Sequence, residues 1–416
     1  MAKFVLAGRA DCPYYAKAEA LADLLTKNLD HFRVHKITHH PDDWEHYYGI
    51  TSELITPEMK LIAQENLETH IEIKKEEKEI QSLIRPLQIW ISSASESTSY
   101  YLIPILANGE VFGMGSEISI NLLDKSHNME VLQALMMEAE DLAFPLLRNV
   151  SVHSVSNEAF LKADIIIVLD DFIPHEDETY GDCIQKVAKQ CKQYGDLIER
   201  NANKEVKVIV AGHTFVNLKT LMILEHAPSL IQHNIIAVAA TLEWKAKAQL
   251  AKKLNMSATE VKDVIVWGNI SGMTYFDLHT AKVFNYDGAI WSPPTFSQPV
   301  LDIIYDRKWI AEGFLSECIS QRQHHSSILA AHTMAIVIQY WLQDSPPGKL
   351  ISLGVISEGQ FGIPEGIIFS MPVTFQGGKW EVFSELDTTS IQENLQEAAN
   401  ELLMERTIGL AVSHNS

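Results

Sequence analysis

Residues Leu87–Asp124, LQIWISSASESTSYYLIPILANGEVFGMGSEISINLLD, have the types and spacing to do chemistry. They read as a strand, a tight turn, a helix, a bend and a second strand closing on an acid. That is the outline of a dinucleotide-binding βαβ unit, with Asp124 where the adenosine ribose would be held. The turn of such a unit carries glycines, because the backbone must approach a pyrophosphate whose charge meets the amides of the helix N-terminus. Here Ser93, Ser95 and Glu96 occupy it. Serine brings a Cβ to the point of closest contact. Glutamate either points a negative charge at the phosphates or serves as a first-turn acid that satisfies the helix dipole.

The elements that must position these residues follow from apolar periodicity. Leu87–Ser92 and Glu117–Asp124 read as strands and Met129–Leu142 as a helix. Ala163–Leu169 (ADIIIVL) reads as a buried strand, Asp182–Asn201 as a helix and Val206–Ala211 (VKVIVA) as the next strand. Strands alternating with helices predict an α/β chain built on a parallel sheet. Cys183 and Cys191, eight residues apart on one helix, predict core packing. Upstream, Lys3–Gly8 and Phe32–Thr38 read as strands flanking a helix over Tyr14–Asn28. Pro57–Glu68 and Glu72–Leu83 read as charged helical segments, and KKEEKEIQ places opposite charges at i,i+4 as a solvated linker helix does. A boundary falls near Arg85-Pro86, since a residue before proline leaves helical space.

Composition narrows the class. At 416 residues with 46% hydrophobic content, the chain suits two or three domains with ordinary cores. A formal net charge of −21 argues against nucleic acid or an anionic membrane as the main partner, because both require a basic footprint. No run of about 18 apolar residues is present, so no transmembrane helix is expected. Met1–Gly8 does not read as a secretory signal, being followed at once by Arg9 and Asp11. Four scattered cysteines favour a reducing compartment. A cytoplasmic globular protein is expected.

Two resemblances add to this reading. Cys12-Pro13-Tyr14-Tyr15, at a strand-to-helix turn, resembles the opening of a glutaredoxin, where a thiolate at a helix N-terminus has a lowered pKa. This likeness covers residues 1–45 and lacks the proline-preceded strand and Gly-Gly turn of the complete fold. A partial thioredoxin-like β-α-β segment is therefore expected, followed by a charged linker over 46–85. Further on, ANGEVFG (107–113), DLAFPLLRNV (141–150), VKVIV (206–210), KAKAQLAKKL (245–254), VKDVIVWGN (261–269) and LGVISEGQFGIPEGIIFSMPV (353–373) are similar to the cytosolic type of malate dehydrogenase. That resemblance implies a doubly wound (Rossmann) NAD-type domain over 86–240 and a mixed α/β substrate domain over 241–416. It also implies a homodimer, NAD as cofactor, and hydride transfer between malate and oxaloacetate.

The family needs a His base, an Asp to orient it and arginines to hold carboxylates. Its base string WGNHS reads Trp267-Gly268-Asn269-Ile270-Ser271 here, placing Ile270 on the base position. Isoleucine accepts no proton, and general acid–base catalysis is worth about 10² to 10⁴ in rate. The nearest downstream histidine, His279, is too distant in sequence to be assumed a substitute. Leu242 falls on the orienting Asp and Lys245 on a substrate Arg, with Glu243 the nearest acid. Lysine is a point charge where a planar fork is needed. The expected state of Glu243 and Lys245 is exposure on a helix face. The substrate loop reads DDFIPHEDETYGD, Asp170 to Asp182, with six acids and no arginine or lysine, and is expected to be a solvated acidic loop. An Asn of the family's nicotinamide-side turn is His213, and the glycines fall on Ser93 and Glu96. Asp124 matches the family acid, which selects NAD over NADP. Framework strings survive while the site residues depart together. The reading is a weak or inactive pseudoenzyme used for binding a protein partner or for assembly. The alternative is an active NAD-dependent oxidoreductase on malate or a drifted 2-hydroxy acid.

Overall fold

The computed structural model describes residues 2–9, 32–39, 85–154, 156–175, 177–284, 297–320 and 327–414. The chain forms two units, Met1–Arg85 and Pro86–Ser416. In the first, β1 (Ala2–Arg9) pairs in parallel with β2 (Phe32–His39), from Ala2↔Phe32 to Arg9↔His39. A parallel pair requires a crossover between its strands. The Cys12 motif, the helix over Tyr14–Asn28 and the charged helical segments after residue 56 lie outside the described residues.

The second unit begins with β3 (Leu87–Ser92), α1 (Ser97–Ala107), β4 (Ile118–Asp124), α2 (Met129–Asp141) and β5 (Leu147–Ser154). Next come β6 (Ile165–Val168), α3 (Tyr180–Asn201), β7 (Lys207–Val210), α4 (Val216–His226) and β8 (Ile235–Val238). These six strands are parallel in the order β5-β4-β3-β6-β7-β8. Chain order reverses between β3 and β6, the topological switch point of a doubly wound sheet. The strands β6, β7 and β8 are runs of Ile, Val and Ala, buried apart from Lys207, because helices cover both faces of a parallel sheet. Edge strand β5, LRNVSVHS, is polar enough that apolar periodicity does not announce it.

After α5 (Ala240–Leu254) the chain turns antiparallel. It forms β9 (Val261–Lys262), β10 (Ile265–Gly268), β11 (Thr274–Asp277), β12 (Lys282–Phe284), β13 (Ser297–Pro299), α6 (Val300–Ile303), α7 (Phe314–Ser320) and α8 (Ser327–Gln343). Then follow β14 (Ile351–Ile356), β15 (Ile368–Gln376), β16 (Lys379–Val382) and the long α9 (Gln392–His414). Strand β14 pairs antiparallel with β8 through Leu353↔Val238, so the two halves share one sheet. This is the expected fold class: a doubly wound half joined to a mixed α/β half. Helix α8 packs on α1 and α5, and α9 packs on α3 and α4.

Candidate functional site

The turn after β3 keeps a glycine backbone without a glycine. Ser93 has φ +47°, in the left-handed region where a Cβ costs about 1–2 kcal/mol. The turn is closed by Glu96 N–H donating to the Ser93 carbonyl at 3.0 Å, and Glu96 then becomes the N-cap of α1. Its side chain is exposed and makes no capping bond to α1.

At the end of β4, Asp124 is only 4% exposed. Its Oδ2 accepts from Ser95 N at 3.0 Å, and its Oδ1 accepts from Lys125 N at 2.7 Å and Asn128 Nδ2 at 2.9 Å. Burial raises the Asp124 pKa, but these bonds together outweigh it and hold the carboxyl below its ordinary value. A carboxylate has about four acceptor positions. Three are taken by the chain itself, leaving one on an oxygen with little access.

The opposite lip of the switch point is β6. Asp170 is buried, with Oδ1 accepting from Gln190 Nε2 at 2.8 Å and Tyr194 OH at 2.9 Å. Its Oδ2 accepts from Ser92 Oγ, a hydrogen bond that ties the end of β3 to the end of β6 across the crevice. Asp171 accepts from His213 N at 2.7 Å and from Thr214 N and Oγ1 at 3.0 Å. Lys219 lies beneath both acids, 2% exposed, with Nζ donating to the Asp170 carbonyl and 3.6 Å from Asp171 Oδ1. Burial pushes the Asp171 pKa up, but the Lys219 ammonium and the two amides reverse the shift and hold it low. Further along, Glu178 pairs with Lys186, and Thr179 with Asp182 forms the capping box of α3. The solvated acidic loop is corrected at its start, where Asp170 and Asp171 are built into the sheet's edge; Asp177 and Asp182 are exposed, as expected, and Glu178 and Asp182 have local partners. Sequence spacing cannot reveal this, because the donors come from β3, α3, α4 and the turn after β7.

A second correction concerns α5. Glu243 is 2% and Lys245 5% exposed, so neither lies on a solvated face. Glu243 Oε1 accepts from Lys247 Nζ and its Oε2 from Ser352 N at 3.1 Å, which turns this acid toward β14. Leu242 and Lys245 instead face the crevice. Helix α5 is sandwiched between α8 and the sheet, and a helix covered on two sides hides its polar residues too.

The loop after β10 keeps its frame while its side chain is apolar. Ile270 N donates to Asn217 Oδ1 at 2.8 Å, and Asn217 Nδ2 donates to Ile368 O at 2.8 Å. Asn269, fully buried, donates to Glu401 Oε2 and Glu405 Oε1, both at 2.9 Å. Tyr180 OH donates to the same Glu405 oxygen at 2.6 Å. Burial pushes the Glu405 pKa up to about 7, with Glu401 adding to the rise and the Tyr180 and Asn269 bonds opposing it.

These elements enclose one crevice. Glu96, Asp171, His213, Leu242, Lys245 and Ile270 line it, with Ala330 and Met334 of α8 closing the far side. Five positions chosen from sequence, Glu96, His213, Leu242, Lys245 and Ile270, thus meet in space, while Ser93 and Asp124 belong to its rim elements. The cavity is about 50 Å³, against about 300–1,000 Å³ for small-molecule sites in general. His279 does not line it; that imidazole borders a different cavity. Sequence reasoning missed Lys219, Asn217 and Glu405. Only Lys219 left a signal, a single cation inside the otherwise apolar helix VNLKTLMIL.

Comparison with known proteins follows this geometry. Residues 3–47 match the family model described as "Putative malate dehydrogenase 1B N-terminal domain", and residues 243–412 match "lactate/malate dehydrogenase, alpha/beta C-terminal domain". The chain is 48% identical to "Putative malate dehydrogenase 1B" of Bos taurus, covering 99% of this chain and 97% of that protein. It is 30% identical to "Malate dehydrogenase 3, cytoplasmic" of Arabidopsis thaliana over 78% of this chain and 95% of the other. Among solved structures, malate dehydrogenase from Naegleria fowleri superposes with a TM-score of 0.69 at 26% identity, covering 79% of this chain and 99% of that one.

Proposed function

The chain belongs to the malate dehydrogenase family, and from that premise we propose that it is a weak or inactive member whose body serves as a binding or assembly scaffold. The observation that carries this reading is that the acids at the strand ends beside the crevice are bonded within the chain. Asp170 is satisfied by Ser92, Gln190 and Tyr194, Asp171 by the His213–Thr214 turn and Lys219, and Asp124 by its own turn. Ile270, buried at 5% exposure, offers no base. Without one, a factor of about 10² to 10⁴ is missing from the proton-transfer step alone.

The family's NAD does not fit the residues present. Ser93 adds a Cβ at the positive-φ position where the backbone should meet pyrophosphate. Glu96 brings a carboxylate to the N-terminus of α1, where phosphate charge would otherwise be welcome. Asp124 has one acceptor position left, and the crevice encloses about 50 Å³. No step is therefore derived through the nucleotide.

The test is turnover and titration on the full chain. We expect no oxaloacetate-dependent NADH oxidation above blank, and calorimetric NADH affinity weaker than low micromolar. Turnover that scales with protein concentration, or low-micromolar binding, overturns the reading. One observation favours the alternative, an oxidoreductase on malate or a drifted 2-hydroxy acid: His213 and Lys245 both line the crevice. In that reading His213 takes the hydroxyl proton and Lys245 holds a carboxylate, and His213→Ala abolishes whatever turnover is found.

The remaining assignments extend the same reading. Residues 1–45 form a partial glutaredoxin-like segment, 46–85 a linker, 86–240 the NAD-type domain and 241–416 the substrate-type domain. A homodimer is supported by apolar side chains exposed on helices α1, α2, α5 and α8, including Tyr101, Val131, Met137, Trp244 and Ile328. Sedimentation equilibrium giving a monomer mass removes it. A cytoplasmic location is supported by the name of the Arabidopsis relative.

A further inference from the structure

A second cavity, about 650 Å³, lies beside the loop that carries Ile270. Its size falls within the usual range for small-molecule sites, about 300–1,000 Å³. Its body is apolar, formed by Phe276, Leu278, Leu301, Ile310 and Phe314. The rings of Phe276 and Phe314 meet edge-on at 5.8 Å, which gives the cavity a fixed aromatic wall.

The polar lining comprises Thr274, Tyr275, His279 and Asn394 together with two carboxylates. Glu397 and Glu401, one turn apart on α9, both line the cavity. Among the described residues no cation pairs with either. His279 lines the same cavity but is held by an acid of its own: its Nδ1 lies 2.8 Å from Asp277 Oδ1, and buried Asp277 also accepts the His279 backbone N–H at 2.9 Å. A carboxylate pair beside an apolar hollow lacks a counter-charge, and an ammonium group supplies one.

We propose that this cavity binds a small amphipathic amine, with a ring-sized apolar body against Phe276 and Phe314 and its ammonium group between Glu397 and Glu401. The wall it touches is informative. Gly272, Met273 and Thr274 line the cavity, and Glu401 Oε2 accepts from Met273 N at 2.7 Å as well as from Asn269. A cation on Glu401 therefore acts on the two donors that hold the Asn269–Met273 loop, and occupancy is transmitted to the neighbouring crevice.

The test titrates the full chain with three near-isosteric probes: phenethylamine as its ammonium, phenethyl alcohol, and hydrocinnamate. Binding is followed by calorimetry and backbone amide NMR. The ammonium is expected to bind about fivefold tighter than the alcohol, the gain of one partly exposed ion pair. Hydrocinnamate should bind more weakly than the alcohol, and the Gly272 and Met273 amide signals should move with the ammonium. Glu397→Gln, a change at an exposed position, should reduce the preference for ammonium and leave the alcohol unaffected. Leu315→Trp, which fills the hollow, should weaken all three. Equal binding of carboxylate and ammonium, saturation with the Met273 signal unmoved, or no saturation by any probe in the millimolar range overturns the proposal.

Discussion

The sheet's interior and the crevice at its switch point are made by the same strands, yet they differ in what their side chains need. Along β6 to β8 the buried side chains are apolar and need only neighbours of matching shape. At the ends of those strands the side chains are acids, amides and a lysine, groups that a ligand site would leave facing space. Here they have found partners within the chain. Asp170 bonds across the crevice to Ser92, Lys219 lies under both acids of β6, and Asn269 joins Glu401 to Glu405. The difference teaches that a crevice's polar edge can be packed as densely as core, provided that each donor meets an acceptor.

If the crevice's edge is packed as core, removing the buried Lys219 beneath its acids should cost more than trimming the sheet. Lys219→Met strands the Asp171 carboxylate and the Asp170 carbonyl, and breaking such a buried pair costs about 3–5 kcal/mol. Ile166→Val, deep in β6, should cost only about 0.5–1.5 kcal/mol. Urea denaturation of the two variants compares them, and a Lys219→Met loss no larger than that of Ile166→Val breaks the comparison.

The next effect is on pH. Burial raises the folded-state pKa of Glu405 from 4.5 to about 7. Its contribution to stability is full below the unfolded value and is lost as pH rises through the folded one, because the native state holds the proton longer. The loss is about 3 kcal/mol, spread between about pH 4.5 and pH 7. Glu405→Gln should flatten this fall, as measured by urea midpoints across that window. Asp171, with a lowered folded-state pKa, contributes in the opposite sense: its share is present above the unfolded value and is lost on further acidification.

The smallest effects lie in the turn. Ser93→Gly relieves the positive φ and should stabilise the chain by about 1 kcal/mol, read as a higher melting temperature. Glu96→Gly removes charge and bulk from the N-terminus of α1, so NADH affinity should rise. An unchanged affinity means that Glu96 does not face the phosphates.

Much of the fold was legible because apolar runs and long matched strings report what faces the core. Leu87–Ser92 occurs as read, and the other strands and helices anticipated between residues 117 and 211 differ from the reading by one or two residues at their ends. Strand β5 was not legible, since a polar edge strand lacks the pattern. The crevice was legible as a set of positions: Glu96, His213, Leu242, Lys245 and Ile270 come together. Its electrostatics were not. Glu243 reads as a surface acid in TLEWKAKAQ, yet its partners are Lys247 one turn on and Ser352 on a distant strand. Asp170 and Asp171 read as loop charge, yet their donors come from β3, α3, α4 and the turn after β7.

The sequence by itself determined the alternation of strands and helices in the parallel half, the acid ending β4, the serine and glutamate in the turn, and the absence of a proton acceptor at Ile270. Those are statements about which atoms are present, and residue type decides them. Only the tertiary structure decided which charges are buried, which are paired, and how much room is left. A carboxylate's state depends on donors within about 3 Å, and the chain brings those donors from as far as 225 residues away, as Tyr180 and Glu405 show.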